Sequence, residues 1–395
     1  MRLPSLRRRA AGGRLPSLGQ DHRAGHVAYV DQIGSDLWLR TKPFSVPPSH
    51  ELSRCLRSFA HIVDALRLGP AAEVLDVGCG PGWLSEYLAR CGYHVTGVDI
   101  SPDMVEIARQ RIAAIPRLPG AAEPVAEFHV MHVHDLTFEE RFDAAVLYDA
   151  MHHFDDERAT LRAIRRALVP GGRIYIHEGS RPEPGSEGEA TLIEEMERFG
   201  TLESPFDPDY LTTVVEDAGF TDVRRFLEVD SLVEIGPRSA WREAVGTVRR
   251  MRRPDTNTVI ATNPLPGGGS GAAASYAARI EAQGPLADAG DGTLAVEVAV
   301  TNTGTHRWTP TAAYPYPAGT VTVAPYVRTP GGGRRELERV MLPGPVAPAE
   351  RTAVRITVPR ESLAGAAGLS VDLVLEGVAW FGDVGSTPLL VPAPA

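Results

Sequence analysis

The apolar positions of this chain keep two different rhythms. Between about residues 50 and 265, short continuous apolar runs alternate with stretches whose apolar residues recur every three or four positions. "ELSRCLRSFAHIVDALRL" sets Leu52, Leu56, Phe59, Ile62, Val63 and Leu66 at helical spacing. After it, strands are expected at 74–78, 94–99, 127–133, 142–148 and 173–178, with helices near 82–91, 102–115 and 156–168 between them. A further helix stopping at "DAGF", a strand from about 221 to 228, a helical stretch near 238–252 and a last strand in "TVIATNP" complete the series. That alternation predicts a Rossmann-like, doubly wound α/β sheet with ligands at the carboxyl ends of its strands. Past residue 275 the period becomes two. "TLAVEVAVTNTG", "GTVTVAPYVRTP", "RTAVRITVP" and "LSVDLVLEG" read as short strands parted by Gly, Pro and Asn turns, which predicts a small all-β sandwich.

Composition sharpens the boundaries. The 395 residues allow two cores, and the many glycines (39) and prolines (33) gather in the first twenty residues and the last third. The expected organisation is a disordered basic arm over 1–25, an α/β domain with an N-terminal cover segment over 26–264, a flexible linker over 265–275 and an accessory β-sandwich over 276–395. The arm repeats "RLPSL" at Arg2 and Arg14, too briefly for a repeat architecture, and lacks the apolar core of a secretory signal. No apolar run approaches the roughly 20 residues that span a bilayer, so no stable membrane insertion is expected. A net charge of −10 disfavours a nucleic-acid backbone as partner. Cys55, Cys79 and Cys91 make no disulfide framework, which fits a cytoplasmic protein. The oligomeric state stays open.

The candidate chemistry starts at "VLDVGCGPGWLS". Gly78, Gly80 and Gly82 provide a bare turn between strand and helix, as in dinucleotide sites. Pro81, however, removes one donor that a phosphate would use, and Asp76 would repel a pyrophosphate while welcoming an ammonium group. S-adenosylmethionine (SAM) carries an ammonium and a sulfonium and no phosphate. In "VTGVDIS", Asp99 ends the next strand and is suited to ribose hydroxyls, a role that does not separate SAM from NAD. In "VMHVHDLTF", Asp135 is suited to the exocyclic amine of an adenine and Leu136 to the ring through its backbone N–H. Ile100 and Met104 would flank the adenine face.

Together, "VLDVGCGPGWLS", "VTGVDISPDM", "HDLTF", "FDAAVLYDAMHHF" and "ALVPGGRIYIHEG" resemble, in order, the class I SAM-dependent methyltransferase family over about residues 50 to 265. The resemblance implies a seven-stranded sheet with its last strand antiparallel, and SAM as cofactor. It makes Asp76, Gly78, Gly80, Asp99 and Asp135 contacts to that cofactor. An NAD-dependent oxidoreductase and a non-catalytic SAM-binding scaffold are the readings from other classes.

The acceptor is expected beside "YDAMHHFDDE". His152 or His153 is a candidate general base, against the plainer reading in which a histidine here packs or caps the next helix. Tyr148 and Asp149 are candidates for the acceptor wall. Glu178 either binds an acceptor hydroxyl or amine or closes its strand. Asp149, His152, His153, Asp155 and Asp156 cluster, but acidic residues at a helix start are expected from capping alone, so no metal is assigned. The polar, acidic stretch "SRPEPGSEGEATLIEEMERFGTLESPF" and the segment bearing Trp38, Arg40 and Lys42 are expected to form a lid. The "[DN]PP[YF]" signature of nucleobase amino-methyltransferases is replaced by "YDAM". Finally, "VTNTGTHRW", "LPGPVAPAE" and "LVLEGVAWFG" resemble a module of surface-polysaccharide enzymes. Trp308, Trp380 and Phe381 either stack on sugars or, as is commoner, fill the sandwich core. The leading expectation is O-methylation of a sugar, glycan or glycolipid, with the module positioning a glycan or a partner enzyme near the site. The alternative is N- or O-methylation of a small specialised metabolite.

Overall fold

A computed structural model of the chain describes residues 22–33, 35–44, 50–116, 123–228, 245–251, 254–264, 276–311, 316, 319–329 and 333–394. Residues 1–21 of the expected arm, the expected linker over 265–275, and most of the helical stretch near 238–252 lie outside them. The last residues assigned to the arm instead open a helix, α1 (His22–Gln32), followed by α2 (Leu37–Thr41) and α3 (His50–Leu66).

The α/β region runs β1 (Glu73–Val77), α4 (Trp83–Arg90), β2 (His94–Asp99), α5 (Pro102–Ala113), β3 (Val125–Val130), β4 (Phe142–Tyr148), α6 (Glu157–Ala167), β5 (Leu168–Gly179), α7 (Glu187–Phe199), α8 (Pro208–Asp217), β6 (Thr221–Phe226) and β7 (Thr256–Thr262). Its strands form one seven-stranded sheet in the order β3-β2-β1-β4-β5-β7-β6. All pairings are parallel except those of β7, which is antiparallel to both neighbours. Strand alternation explains the two layers. Val74 faces Ile62 and Leu66 of α3 and Leu84 and Leu88 of α4, whereas Leu75 and Val77 face Leu161 and Ile164 of α6. Local signals fix the helix starts. The Ser101 hydroxyl accepts from the Met104 N–H ahead of Pro102, and the Asp156 carboxylate accepts from the Ala159 N–H at 2.8 Å. Strand order reverses between β1 and β4, which opens a cleft at their carboxyl ends. No helix among the described residues is long and apolar enough to cross a membrane.

The C-terminal region is all β. β8 (Ala278–Ala282), β9 (Ala287–Gly290), β10 (Thr293–Asn302) and β14 (Arg351–Pro359) form one sheet. β11 (Val321–Arg328), β12 (Arg334–Glu336), β13 (Val340–Met341), β15 (Gly368–Leu375), β16 (Ala379–Trp380) and β17 (Leu389–Pro392) form the other. Val298 and Val300 of the first sheet share one core with Val321, Val323 and Leu373 of the second. Trp308 and Phe381 are fully buried in it with ring centroids 5.7 Å apart, so neither offers a face to a sugar. Trp380 is half-buried against Tyr326, with Arg334 and Arg339 over its ring.

The sandwich docks on the amino-terminal edge of the large sheet. Asp143, the second residue of β4, is wholly buried and accepts from Arg307, from the Thr309 hydroxyl at 2.6 Å and from the Glu73 N–H at 2.8 Å. Arg307 also donates to the Arg141 carbonyl, Thr311 donates to the Arg67 carbonyl, and Pro310 seats on Gly69, where a Cβ would come within 2.9 Å of it. At about 3.3 Å per residue the seven-residue strand β4 spans about 20–23 Å. These contacts therefore lie a strand's length from the cleft. Arg307→Ala strands the Asp143 carboxylate in a buried site. It should cost about 3–5 kcal/mol, read as a lowered denaturation midpoint, with SAM affinity unchanged in the folded protein.

Candidate active site

Between β1 and α4 the chain turns through Gly78, Gly80 and Gly82, all at positive φ. The Gly78 and Cys79 N–H groups both donate to the Val98 carbonyl, at 2.9 and 3.1 Å. Gly80 N–H donates to Asp99 Oδ2 at 2.8 Å and Gly82 N–H to the Cys79 carbonyl at 3.0 Å. Pro81 has no N–H to give. The start of α4, the usual phosphate seat, is also engaged: Asp76, 2% exposed, accepts from the Ser85 hydroxyl at 2.6 Å and from its backbone N–H. Burial pushes the Asp76 carboxyl up to about 7 despite those bonds. Asp76 thus anchors the loop from beneath, away from the cleft wall where an ammonium contact was expected.

A cleft of about 970 Å³ opens above this loop. Gly78, Gly80, Asp99, Ile100 and Met104 line it. A Cβ on Gly80 would meet no protein atom within 4 Å, so the bare backbone there faces space that a ligand can fill. Asp99 Oδ1 accepts from the Ser101 N–H at 2.9 Å, which fixes the carboxylate at the cleft edge. Asp135 and Leu136 do not join them. β3 ends at Val130 rather than near 133, and a single 3₁₀ turn over Val133–Asp135 follows. That shift presents Met131, His132 and Val133 to the cleft, leaves Asp135 exposed and sends Leu136 into the core.

The other part of the cleft gathers histidines and carboxylates. Glu178, fully buried at the end of β5, accepts from the Ala150 and Met151 N–H groups at 3.0 and 2.7 Å and from His152 Nδ1 at 2.6 Å. It therefore organises the segment after β4 instead of facing an acceptor. His152 Nε2 lies 3.4 Å from Glu203 Oε2, and His153 Nδ1 donates to the Leu202 carbonyl at 2.7 Å. Burial alone would depress His152, but the Glu178 charge and hydrogen bond, with Glu203 behind them, lift it to about 10. Burial and the His152 charge lower His153. Asp149, at φ +48°, lines the cleft and is paired with Arg54 at 2.8 Å. Tyr148 turns inward instead, 7% exposed, edge-on to Trp83 and stacked at 4.9 Å on His177, so it is not part of the wall.

Residues of α1, of the segment after it and of α7 line the cleft together. α1 packs on α7: Tyr29 meets Phe199 at 5.4 Å, and a Cβ on Gly25 would fall 2.4 Å from the Gly200 carbonyl group. Trp38 and Lys42 line the cleft, whereas Arg40 turns away to Asp36 and Gln110. The residues that sequence reasoning missed are Arg54, His132, His26 and Glu203. Only Glu203 carried a signal, its place in the acidic insertion, and that signal did not single it out.

Residues 74–172 match the family model for a methyltransferase domain. The ubiquinone biosynthesis O-methyltransferase of Xanthomonas oryzae pv. oryzae (strain PXO99A) is 40% identical over 108 residues, which are 27% of this chain and 42% of that protein. The enzyme of the same name from Xylella fastidiosa (strain 9a5c) is 37% identical over 108 residues, 27% of this chain and 41% of that protein. The chain thus spans less than half the length of these curated relatives. Among solved structures, phosphoethanolamine N-methyltransferase 2 of Haemonchus contortus, in complex with SAM, is 17% identical with a TM-score of 0.43, covering 61% of this chain and 60% of its own. Residues of the large sheet form a class I SAM-dependent methyltransferase domain, to which a β-rich C-terminal region is joined. The loop fits SAM on its own terms: internal donors occupied, Gly80 bare, Asp99 fixed at the edge.

Two glycine substitutions separate ligand fit from folding. Gly80→Ala puts a methyl group into open cleft space at φ +52° and should weaken SAM binding by about tenfold, with a small change in melting temperature. Gly82→Ala would set a Cβ 2.6 Å from that of Ala108 and should lower the melting temperature first. Calorimetry and thermal melts distinguish the two.

Proposed function

We propose that the protein transfers the methyl group of SAM to a hydroxyl of a small polyhydroxylated acceptor, with a sugar unit as the leading class. The observation that carries this reading is the His152–His153–Glu203 wall within the cleft that Asp99 and Gly80 also line. Methyl transfer needs alignment and, for a hydroxyl, removal of a proton; His153, kept neutral by burial and by the His152 charge, is the base, and His152, held protonated by Glu178 and Glu203, orients the acceptor. Lys42, the Arg54–Asp149 pair and Glu195 add polar contacts to the same cleft, which suits a hydrophilic acceptor better than an apolar ring. The relatives that match residues of this domain are named as O-methyltransferases, which favours oxygen over nitrogen as the methylated atom. The sandwich aromatics lend the sugar reading no support, since the acceptor contacts proposed here all lie within the cleft.

When bound, SAM supplies an electrophilic methyl group. The chain's own contribution is to hold the acceptor oxygen against the polar wall, to close α1 and α7 over it, and to exclude water. An acceptor screen with labelled SAM tests this directly. Free and nucleotide-linked sugars should be methylated, while apolar phenols and simple amines should not; label on amines alone would overturn the oxygen assignment. His152→Ala and His153→Ala should each lower kcat by about 100-fold or more while leaving SAM affinity intact.

A further inference from the structure

We propose that a second cavity, on the face of the large sheet that carries α3, binds a small organic carboxylate. Its head would lie on Arg173 and Arg224, and its apolar body would run along the strands toward Phe226. This cavity of about 570 Å³ shares no lining residue with the cleft, so the assignment holds whatever acceptor the cleft takes. Its volume is that of a small-molecule site.

Strand register builds the cavity. Paired residues of neighbouring strands face the same side. Arg173 therefore stands beside Thr262, Tyr175 beside Ile260 and Arg224, and Thr258 beside Phe226. Asp64 and Ala65 of α3 close one flank, and Tyr316 of the C-terminal region lines the cavity as well. At about 3.3 Å per residue, Thr262 and Thr258 are about 13 Å apart along β7, which is room for a charged head and one ring.

The head end is built for an oxyanion. Arg173 Nη1 donates to the Ala65 and Leu66 carbonyls at 2.9 and 3.1 Å, which fixes the guanidinium against the end of α3. Its Nε and Nη2 have no hydrogen-bond partner among the described residues. Those two parallel N–H groups form the edge that takes a carboxylate in bidentate fashion. Burial lowers Arg173 to about 10, and the charges of Arg224 and Arg67 push the same way, opposed by Asp222. Asp222 pairs with Arg224 at 3.2 Å, but both side chains are more than half exposed, so the pair is weak. Arg67, Arg173 and Arg224, set against Asp64 and Asp222, leave one positive charge at this end, and a monoanion balances it.

The other end does not repel such a ligand. Glu228 lines it, but its Oε1 accepts from the Tyr175 and Thr258 hydroxyls, each at 3.2 Å, and pairs with His177 Nδ1 at 3.0 Å. Its Oε2 accepts from the Ser58 hydroxyl at 3.4 Å. Burial would raise the Glu228 carboxyl, yet the His177 hydrogen bond and charge, with His61 and Tyr175, hold it down at about 2. That carboxylate is thus satisfied within the protein. Beside it, Ile260 and the 43% exposed ring of Phe226 offer apolar area to the body of the ligand.

Calorimetry on the full chain, saturated with SAM so that the cleft is occupied, tests the site with hydrocinnamate as the probe. One equivalent should bind, and the neutral hydrocinnamyl alcohol should bind about tenfold more weakly or worse. Arg173→Met and Arg224→Met should each weaken hydrocinnamate by about tenfold. Thr262→Trp fills the space beside Arg173 and should abolish uptake. Asp222→Asn removes the competing carboxylate and should tighten binding several-fold, an effect that damage to the fold would not give. Arg225→Met, next along β6 but paired with Asp209 of α8, should change nothing. Thermal melts of every variant report folding. A chain that takes up no hydrocinnamate, takes up the alcohol equally well, or keeps its affinity in the Arg173→Met and Arg224→Met variants overturns the assignment and leaves the methyltransferase reading standing.

Discussion

The turn between β1 and α4 uses its backbone donors on its own protein, and most of the site follows from that constraint. Val98 takes two of them, Asp99 takes Gly80, and Cys79 takes Gly82, while Asp76 occupies the start of α4. A phosphate approaching this loop would find carboxylates and engaged N–H groups where it needs free donors. A ligand recognised by its hydroxyls and positive charge meets no such obstacle. The same bonds that exclude phosphate also fix Asp99, so the exclusion and the recognition are one piece of geometry.

A second buried carboxylate does for the segment after β4 what Asp76 does for the loop. Glu178 gathers Ala150, Met151 and His152, and so determines where the chain goes after β4. That arrangement is completed only when Leu202 and Glu203 arrive from the segment after α7, itself braced by α1 through Tyr29 and His26. Residues near 26, 152, 178 and 203 thus meet at one place, and removing any one leaves a buried polar group without its partner.

How far the sequence discloses this depends on the range of the interactions. The sheet, its layers, the glycine turn and the cleft positions of Asp99, Ile100 and Met104 are local or periodic features, and they are legible in the residues. Where a boundary decides which face a side chain takes, the reading is fragile. Ending β3 a few residues early, at Val130, is enough to exchange Asp135 and Leu136 for His132 and Val133 in the cleft. Tyr148 and Glu178 sit on strands beside the site, and the sequence cannot say whether they point into it or under it. Glu203 and Arg54 come from distant segments whose polar residues look like any solvated face. Trp308 and Phe381 look equally suited to a sugar or a core until the two sheets close over them.

The position of the β-sandwich follows from the polarity of a parallel sheet. The carboxyl ends of the strands carry the loops that bind and react, and the amino ends present backbone and side chains that must be capped. Asp143 shows the requirement in its sharpest form: a carboxylate on a central strand, which would be costly if left alone in a buried edge. Arg307 and Thr309 supply its partners from the accessory domain, and Pro310 fills the hollow that Gly69 leaves. The sandwich is therefore joined to the catalytic domain where attachment does not disturb the cleft. β4 carries Asp143 at one end and Tyr148, next to Asp149, at the other, and so links this contact to the cleft.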